Sequence, residues 1–246
     1  MYGLDSLGSP HSAIADGFVS GLSFDFKGDS IAPQSLWRTV DTQERVFTGH
    51  AGGKITINIR EADTVKREKL RVGLGKGHRT LIGYFRHEIG HYYWHVLVDG
   101  HATYKTEFVR LFGDHENPTY SESLERHYAE GAPKDWQKVY ISAYITMHLW
   151  EDWAETFAFY PDIIDVMETA SCLGLIAVQT QDDFKNLLKT YTRLGVLLNE
   201  LNRGMGLIDF LPALVVPDVV TKLEFVHEVI TSARDIATSP QVTVSA

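Results

Sequence analysis

The chain has 246 residues, 44% of them hydrophobic, with a net charge of −9 and a single cysteine. That is enough apolar content for a large core, and the acidic balance (pI near 5.6) argues against nucleic acid or an anionic membrane surface as a partner, since both call for basic patches. Cys172 alone excludes an intrachain disulfide framework and a Cys-rich zinc site.

No N-terminal stretch joins a basic start to an apolar run, and nothing approaches eighteen consecutive apolar residues, so the expectation is a cytoplasmic protein without a membrane span. Residues 1–20, rich in Gly, Ser and Ala, are expected to be partly disordered. Leu22, Phe24 and Phe26 alternate as in a short strand. Val46 leads to the Gly52-Gly53 turn, after which Ile55, Ile57 and Ile59 alternate with Lys54, Thr56 and Asn58, a hairpin with a half-buried second strand. Gly73-Leu74-Gly75-Lys76-Gly77 lacks the Gly-Lys-Ser/Thr ending of a phosphate loop and reads as a flexible entry to the next helix.

That helix is expected from about Arg79 to Val98, because Leu81, Ile82, Phe85, Ile89, Tyr92, Tyr93, Val96 and Leu97 recur at spacings of three and four. On its flank lies His87-Glu88-Ile89-Gly90-His91. Imidazoles at i and i+4 share one helical face and can both turn a nitrogen to one metal ion, while the glutamate faces the metal-bound water. Zinc with three protein ligands lowers the pKa of that water to about 7, so a neighbouring carboxylate can take its proton during attack on a carbonyl. With eleven histidines in the chain, five letters alone are also compatible with two histidines satisfied by core hydrogen bonds, and a third ligand is required.

Further helices are expected over Ser121–Glu130 and Lys134–Met147. The third ligand is sought in Trp150-Glu151-Asp152-Trp153-Ala154-Glu155-Thr156-Phe157-Ala158, where Glu151 and Glu155 again share one face. A solvated acidic face has little use for two tryptophans, which favours a buried metal helix. Pro161 predicts a kink, or a break and restart. Beyond it, Asp182–Arg203 has a stripe of Phe184, Leu187, Leu188, Tyr191, Leu194, Leu198 and Leu201 with Gly204 as its stop, and Val219–Ala233 buries Leu223, Val226 and Ile230. Strands early and helices late read as α+β: a single domain over 21–235, β-rich over about 21–62 and helical over about 79–235, with a flexible tail at 236–246.

TGHAGGKITINIREAD (Thr48 to Asp63), RTLIGYFRHEIGHYYW (Arg79 to Trp94), LFGD (Leu111 to Asp114), HYAEGAPKDW (His127 to Trp136) and WEDWAETFA (Trp150 to Ala158) give the chain a resemblance to a family. From about Phe47 to Leu175, and more loosely to Ile230, it resembles the bacterial zinc-binding metallopeptidases long catalogued only as a domain of unknown function. The resemblance implies a zincin-like, gluzincin-type fold: a small N-terminal sheet, an active-site helix, a mainly helical C-terminal lobe, and zinc held by two histidines and a glutamate. In lethal-factor-like and Pro-Pro endopeptidase-like gluzincins the ligand is the first glutamate of an E-x-F-A-E pattern, with a catalytic tyrosine seven residues earlier. Glu151-Asp152-Trp153-Ala154-Glu155 is similar and Tyr144 stands at that distance, which favours Glu151 as ligand and leaves Glu155 to orient His87 or His91, with an exchange of those roles open. Tyr144 is then an oxyanion donor, or else a core aromatic. His148, one turn before Glu151, is a second candidate proton donor. By the same analogy Lys54–Arg60 is the edge strand that would pair with a substrate backbone.

Departures accompany the likeness. Members usually carry an N-terminal zinc ribbon of paired Cys-x-x-Cys, which one cysteine cannot form; His95 replaces a usual aspartate, and Leu149 a usual proline, leaving His148 or an earlier residue to begin the Glu151 helix. Two functions remain open at this stage. One is a zinc metallopeptidase acting on peptide or protein substrates, with Glu88 as general base and Tyr144 or His148 at the oxyanion; a zinc amidase acting on a small molecule would use the same residues. The other is a protein that keeps zinc for structure and binds a partner protein. Glu88 favours the first, because a structural site needs no base that is not a ligand.

Overall fold

A computed structural model describes residues 21–28, 49–65, 69, 80–114, 117–177, 183–212 and 215–238. Expectations for residues 1–20, for Val46, for the Gly73–Gly77 loop and for 239–246 lie outside them. The described chain is α+β, mostly helical, with one three-stranded sheet.

The sheet contains β1 (Ser23–Lys27), β2 (Gly49–Ala51) and β3 (Lys54–Asn58). Gly52 and Gly53 both take positive φ (55° and 81°), the conformation a tight two-residue hairpin turn demands and only glycine adopts at no cost. The hairpin is as expected, but the edge assignment for Lys54–Arg60 is overturned. The strand order is β1-β3-β2, so β3 is the centre, parallel to β1 and antiparallel to β2, and the backbone turns into a 3₁₀ helix at Ile59. Side-chain alternation reports which face of a strand is buried, not which edge is paired. The buried Ile55 and Ile57 face the core, and Phe24 of β1 packs on Phe85 of the first helix.

Helix α1 (Leu81–Tyr93) begins where Thr80 caps it, accepting a hydrogen bond from the Gly83 N–H. It widens into a π-helical turn over Trp94–Asp99 before Gly100. Helix α2 (Ala102–Phe112) follows, then α3 (Tyr120–Glu130), which opens with a reciprocal capping box between Thr119 and Glu122. The helix expected over Lys134–Met147 is not formed: only 3₁₀ turns occur there, at Trp136–Lys138 and Tyr144–Met147. The segment is rich in β-branched and aromatic residues (Val139, Tyr140, Ile141, Ile145, Thr146), whose helix propensity is poor, and its apolar side chains reach the core from irregular backbone.

Helix α4 (Leu149–Cys172) starts at His148, whose Nδ1 accepts the Trp150 N–H at 3.1 Å, so a histidine caps the helix without a proline at its first position. Of the kink or break expected at Pro161, the break does not occur; the helix runs through it. Proline forfeits one backbone bond, but Phe157, Tyr160, Ile163 and Ile164 are all buried around it, and that packing outweighs the loss. Helix α5 (Phe184–Gly204) buries most of its expected stripe, although Leu201 is exposed, and the left-handed residue after it is Gly206 rather than Gly204. Helix α6 (Pro217–Thr238) opens with proline at its first position and buries Leu223, Val226 and Ile230. Among the described residues no helix is long and apolar enough to cross a membrane.

The most extensive helix pairing is α1 on α4. Tyr93 stacks on Phe157 at 5.2 Å, and Trp153 meets Phe108, Phe112 and Phe225. At the point of closest approach stands Gly90, where a Cβ would lie 3.0 Å from both the Cα and the carbonyl oxygen of Ala154. The Trp153 indole N–H donates to the Gly90 carbonyl at 2.8 Å, tying the helices together there. Alanine in a helix interior is normally favoured over glycine by about 1 kcal/mol, whereas overpacking against backbone costs about 1–3 kcal/mol. Gly90→Ala is therefore expected to lower stability in chemical denaturation; a gain would show that the helices can separate freely.

Candidate metal centre

α1 sets His87 and His91 one turn apart, their rings 5.0 Å between centroids and nearly perpendicular. α4 brings Glu151 to them from its first turn, where the helix dipole favours an ionised carboxylate. His87 Nε2 lies 3.0 Å from Glu151 Oε2, and His91 Nε2 lies 3.6 Å from Oε1. One donor atom from each residue falls within 4.8 Å of the others. Zinc at bond lengths of about 2.0–2.1 Å needs tetrahedral ligands separated by about 3.3 Å, so this donor set fits the ion with small side-chain adjustments.

The protonation states suit a cation too. Burial, with the neighbouring His87 charge, pushes His91 down to about 3, keeping its ring neutral with a lone pair available. For Glu151 burial acts upward, but the hydrogen bond and charge of His87 and the charge of His91 outweigh it and bring the carboxyl to about 2. Glu88 stands beside this group without belonging to it; it is buried, and that burial raises its carboxyl to about 7 against the opposing pull of His87. Glu155 is not part of the donor group.

Two tyrosines approach Glu151 from the other side. Tyr120 donates its phenol proton to Glu151 Oε1 at 3.1 Å, and Tyr144 lies close enough to act on its phenol. Burial and the charge of Glu151 raise both phenols, and Tyr144 also feels Glu88. His148 is buried with its ring 5.3 Å from that of Tyr120. Beyond His91 lies a group of half-buried rings: Trp150 at 5.7 Å, and His95 and His50, themselves 5.8 Å apart. Burial lowers His50 to about 4, with His95 adding to the shift, and its Nε2 accepts the Gly53 N–H.

Tyr120 and His50 were not distinguished by sequence. The Thr119-x-x-Glu122 pattern marks the start of α3, but no spacing links Tyr120 to a carboxylate 31 residues on. His50 sits within one of the family-like stretches yet reads there as one scattered histidine among several. Also unforeseen is the partner of Asp152: Lys222 of α6, buried like the aspartate, with Nζ 2.6 Å from Oδ2.

Two histidines one turn apart on one helix, with a carboxylate from a second helix closing on them, form a His-His-Glu group that could hold a metal ion. Residues 1–229 match a family described as "Putative zinc-binding metallo-peptidase", and the chain belongs to that family. Uncharacterized proteins of Mycobacterium tuberculosis (strain H37Rv) and Mycobacterium bovis are each 42% identical to it over 195 residues, 76% of this chain and 57% of theirs. The chain thus spans little more than half the length of these curated relatives. No solved structure matches it.

Proposed function

We propose that the protein is a zinc-dependent metallopeptidase of gluzincin type on a zincin-like fold, with His87, His91 and Glu151 as ligands and Glu88 as general base. The observation that carries the reading is the place of Glu88, a buried carboxylate beside the His-His-Glu group and outside it. An ion kept for structure alone leaves such a group without a purpose. Zinc, when bound, supplies Lewis-acid chemistry, polarising a carbonyl and making water acidic near neutrality.

The chain's own residues do the rest. Glu88 takes the proton of the attacking water and passes it to the leaving amine. Tyr144, near Glu88 and Glu151, gives its hydroxyl to the developing oxyanion. His148 has Nδ1 committed to the cap of α4, so only Nε2 remains to it as a second donor. Glu155 supports the ligands from the next turn of α4. In place of β3, the edge strand β2, which packs against α1, offers its outer side to an extended peptide. An amide bond in a small molecule would be cut by the same groups.

The test is zinc content in protein purified without a metal-affinity tag, paired with cleavage of a mixed peptide library. About one zinc per chain is expected in the wild type and in Glu155→Ala, with loss in Glu151→Ala, and cleavage should stop on chelation and return with zinc. A wild type that takes up no zinc after reconstitution would sink the reading.

A further inference from the structure

Tyr120 is the first residue of α3, and it is 39% exposed, so burial alone does not account for its orientation. Its hydroxyl nevertheless reaches Oε1 of Glu151, while Oε2 of the same carboxylate faces His87 Nε2. A glutamate side chain can rotate about its terminal bonds and can present one oxygen to an ion or both. A hydrogen bond to one oxygen removes that freedom. The tyrosine is itself steadied, by the capping box under its helix and by its ring against His148, the residue from which the Glu151 helix starts.

We propose that Tyr120 is a positioning residue for the metal centre: its phenol holds Oε1 of Glu151 on the His91 side, so that Oε2 is turned toward His87. The proposal rests on reading His87, His91 and Glu151 as the ligand set, and it deepens that reading by adding a supporting group from a third helix. Tyr120 itself touches no reacting atom.

The experiment measures zinc affinity by competition with a chromogenic chelator on the full chain, for wild type, Tyr120→Phe and Tyr144→Phe, together with the visible spectrum of each protein loaded with cobalt(II). Loss of a hydrogen bond that orients a ligand typically costs about 10–100-fold in metal affinity. That weakening is expected for Tyr120→Phe, with shifted cobalt bands, whereas Tyr144→Phe should keep the wild-type affinity and spectrum. The metal-free melting temperature serves as the fold control, and phenylalanine keeps the ring against His148. Wild-type affinity and spectrum in Tyr120→Phe would overturn the proposal and leave the peptidase reading standing, as would equal weakening in both variants. A wild type without zinc affinity would overturn both.

Discussion

Glu88→Gln is expected to abolish most peptide hydrolysis while leaving zinc in place. General acid–base groups contribute roughly 10²–10⁴-fold, and an amide of the same size can neither accept nor return the proton. Because Glu88 is buried, the isosteric change is preferable to alanine, which would open a cavity and mix a packing defect with the chemical one. The pair of measurements separates the alternatives. Zinc lost together with activity would make Glu88 a ligand, whereas turnover that survives would place the base elsewhere.

Lys222→Met should cost about 3–5 kcal/mol of stability, the usual penalty for leaving one member of a buried ion pair uncompensated. Lys222 Nζ is held by Asp152 Oδ2, reaches the Val139 carbonyl at 3.4 Å and stands 4.6 Å from the centre of the Tyr140 ring. Lys222 and Asp152 are 4% and 1% exposed, so solvent screening is slight. Replacing both, as Lys222→Met with Asp152→Leu, should restore most of the loss, since a buried pair exchanged for apolar residues is often neutral. Urea unfolding of the two variants decides the matter: a single variant down by less than about 1 kcal/mol would mean that water reaches the pair.

Features set by neighbours in sequence were legible. The 3.6-residue period gave α1, α5 and α6, the double glycine gave the hairpin, and the i, i+4 spacings put His87 with His91 and Glu151 on its own helix. A helix start without proline left His148 or an earlier residue to begin α4, and it is His148. What failed depends on partners distant in the chain. β3 is central because β1 pairs with it across a long connection, and nothing within Lys54–Asn58 announces that second neighbour. Lys134–Met147 has the apolar content of a helix, but its contacts are made without one. Pro161 does not end its helix, because buried apolar neighbours hold the turns before and after it. Tyr120 and Lys222 reach Glu151 and Asp152 from α3 and α6, and only the assembled chain shows that those two adjacent acids serve separate partners.

The contact between Gly90 and Ala154 sets the spacing of the two helices that carry the donors, and their seam of Tyr93, Trp153 and Phe157 is closed by apolar side chains and an indole hydrogen bond. None of this packing requires an ion. In small zinc domains the chain orders only around its metal, so that affinity and folding are one free energy. Here the helices that carry His87, His91 and Glu151 are packed on a core of their own, so on the proposed reading uptake of a cation would cost little further conformational entropy and its release would leave the polypeptide folded. Scarcity of the metal would then idle such a protein rather than destroy it, and supply alone would return it to service.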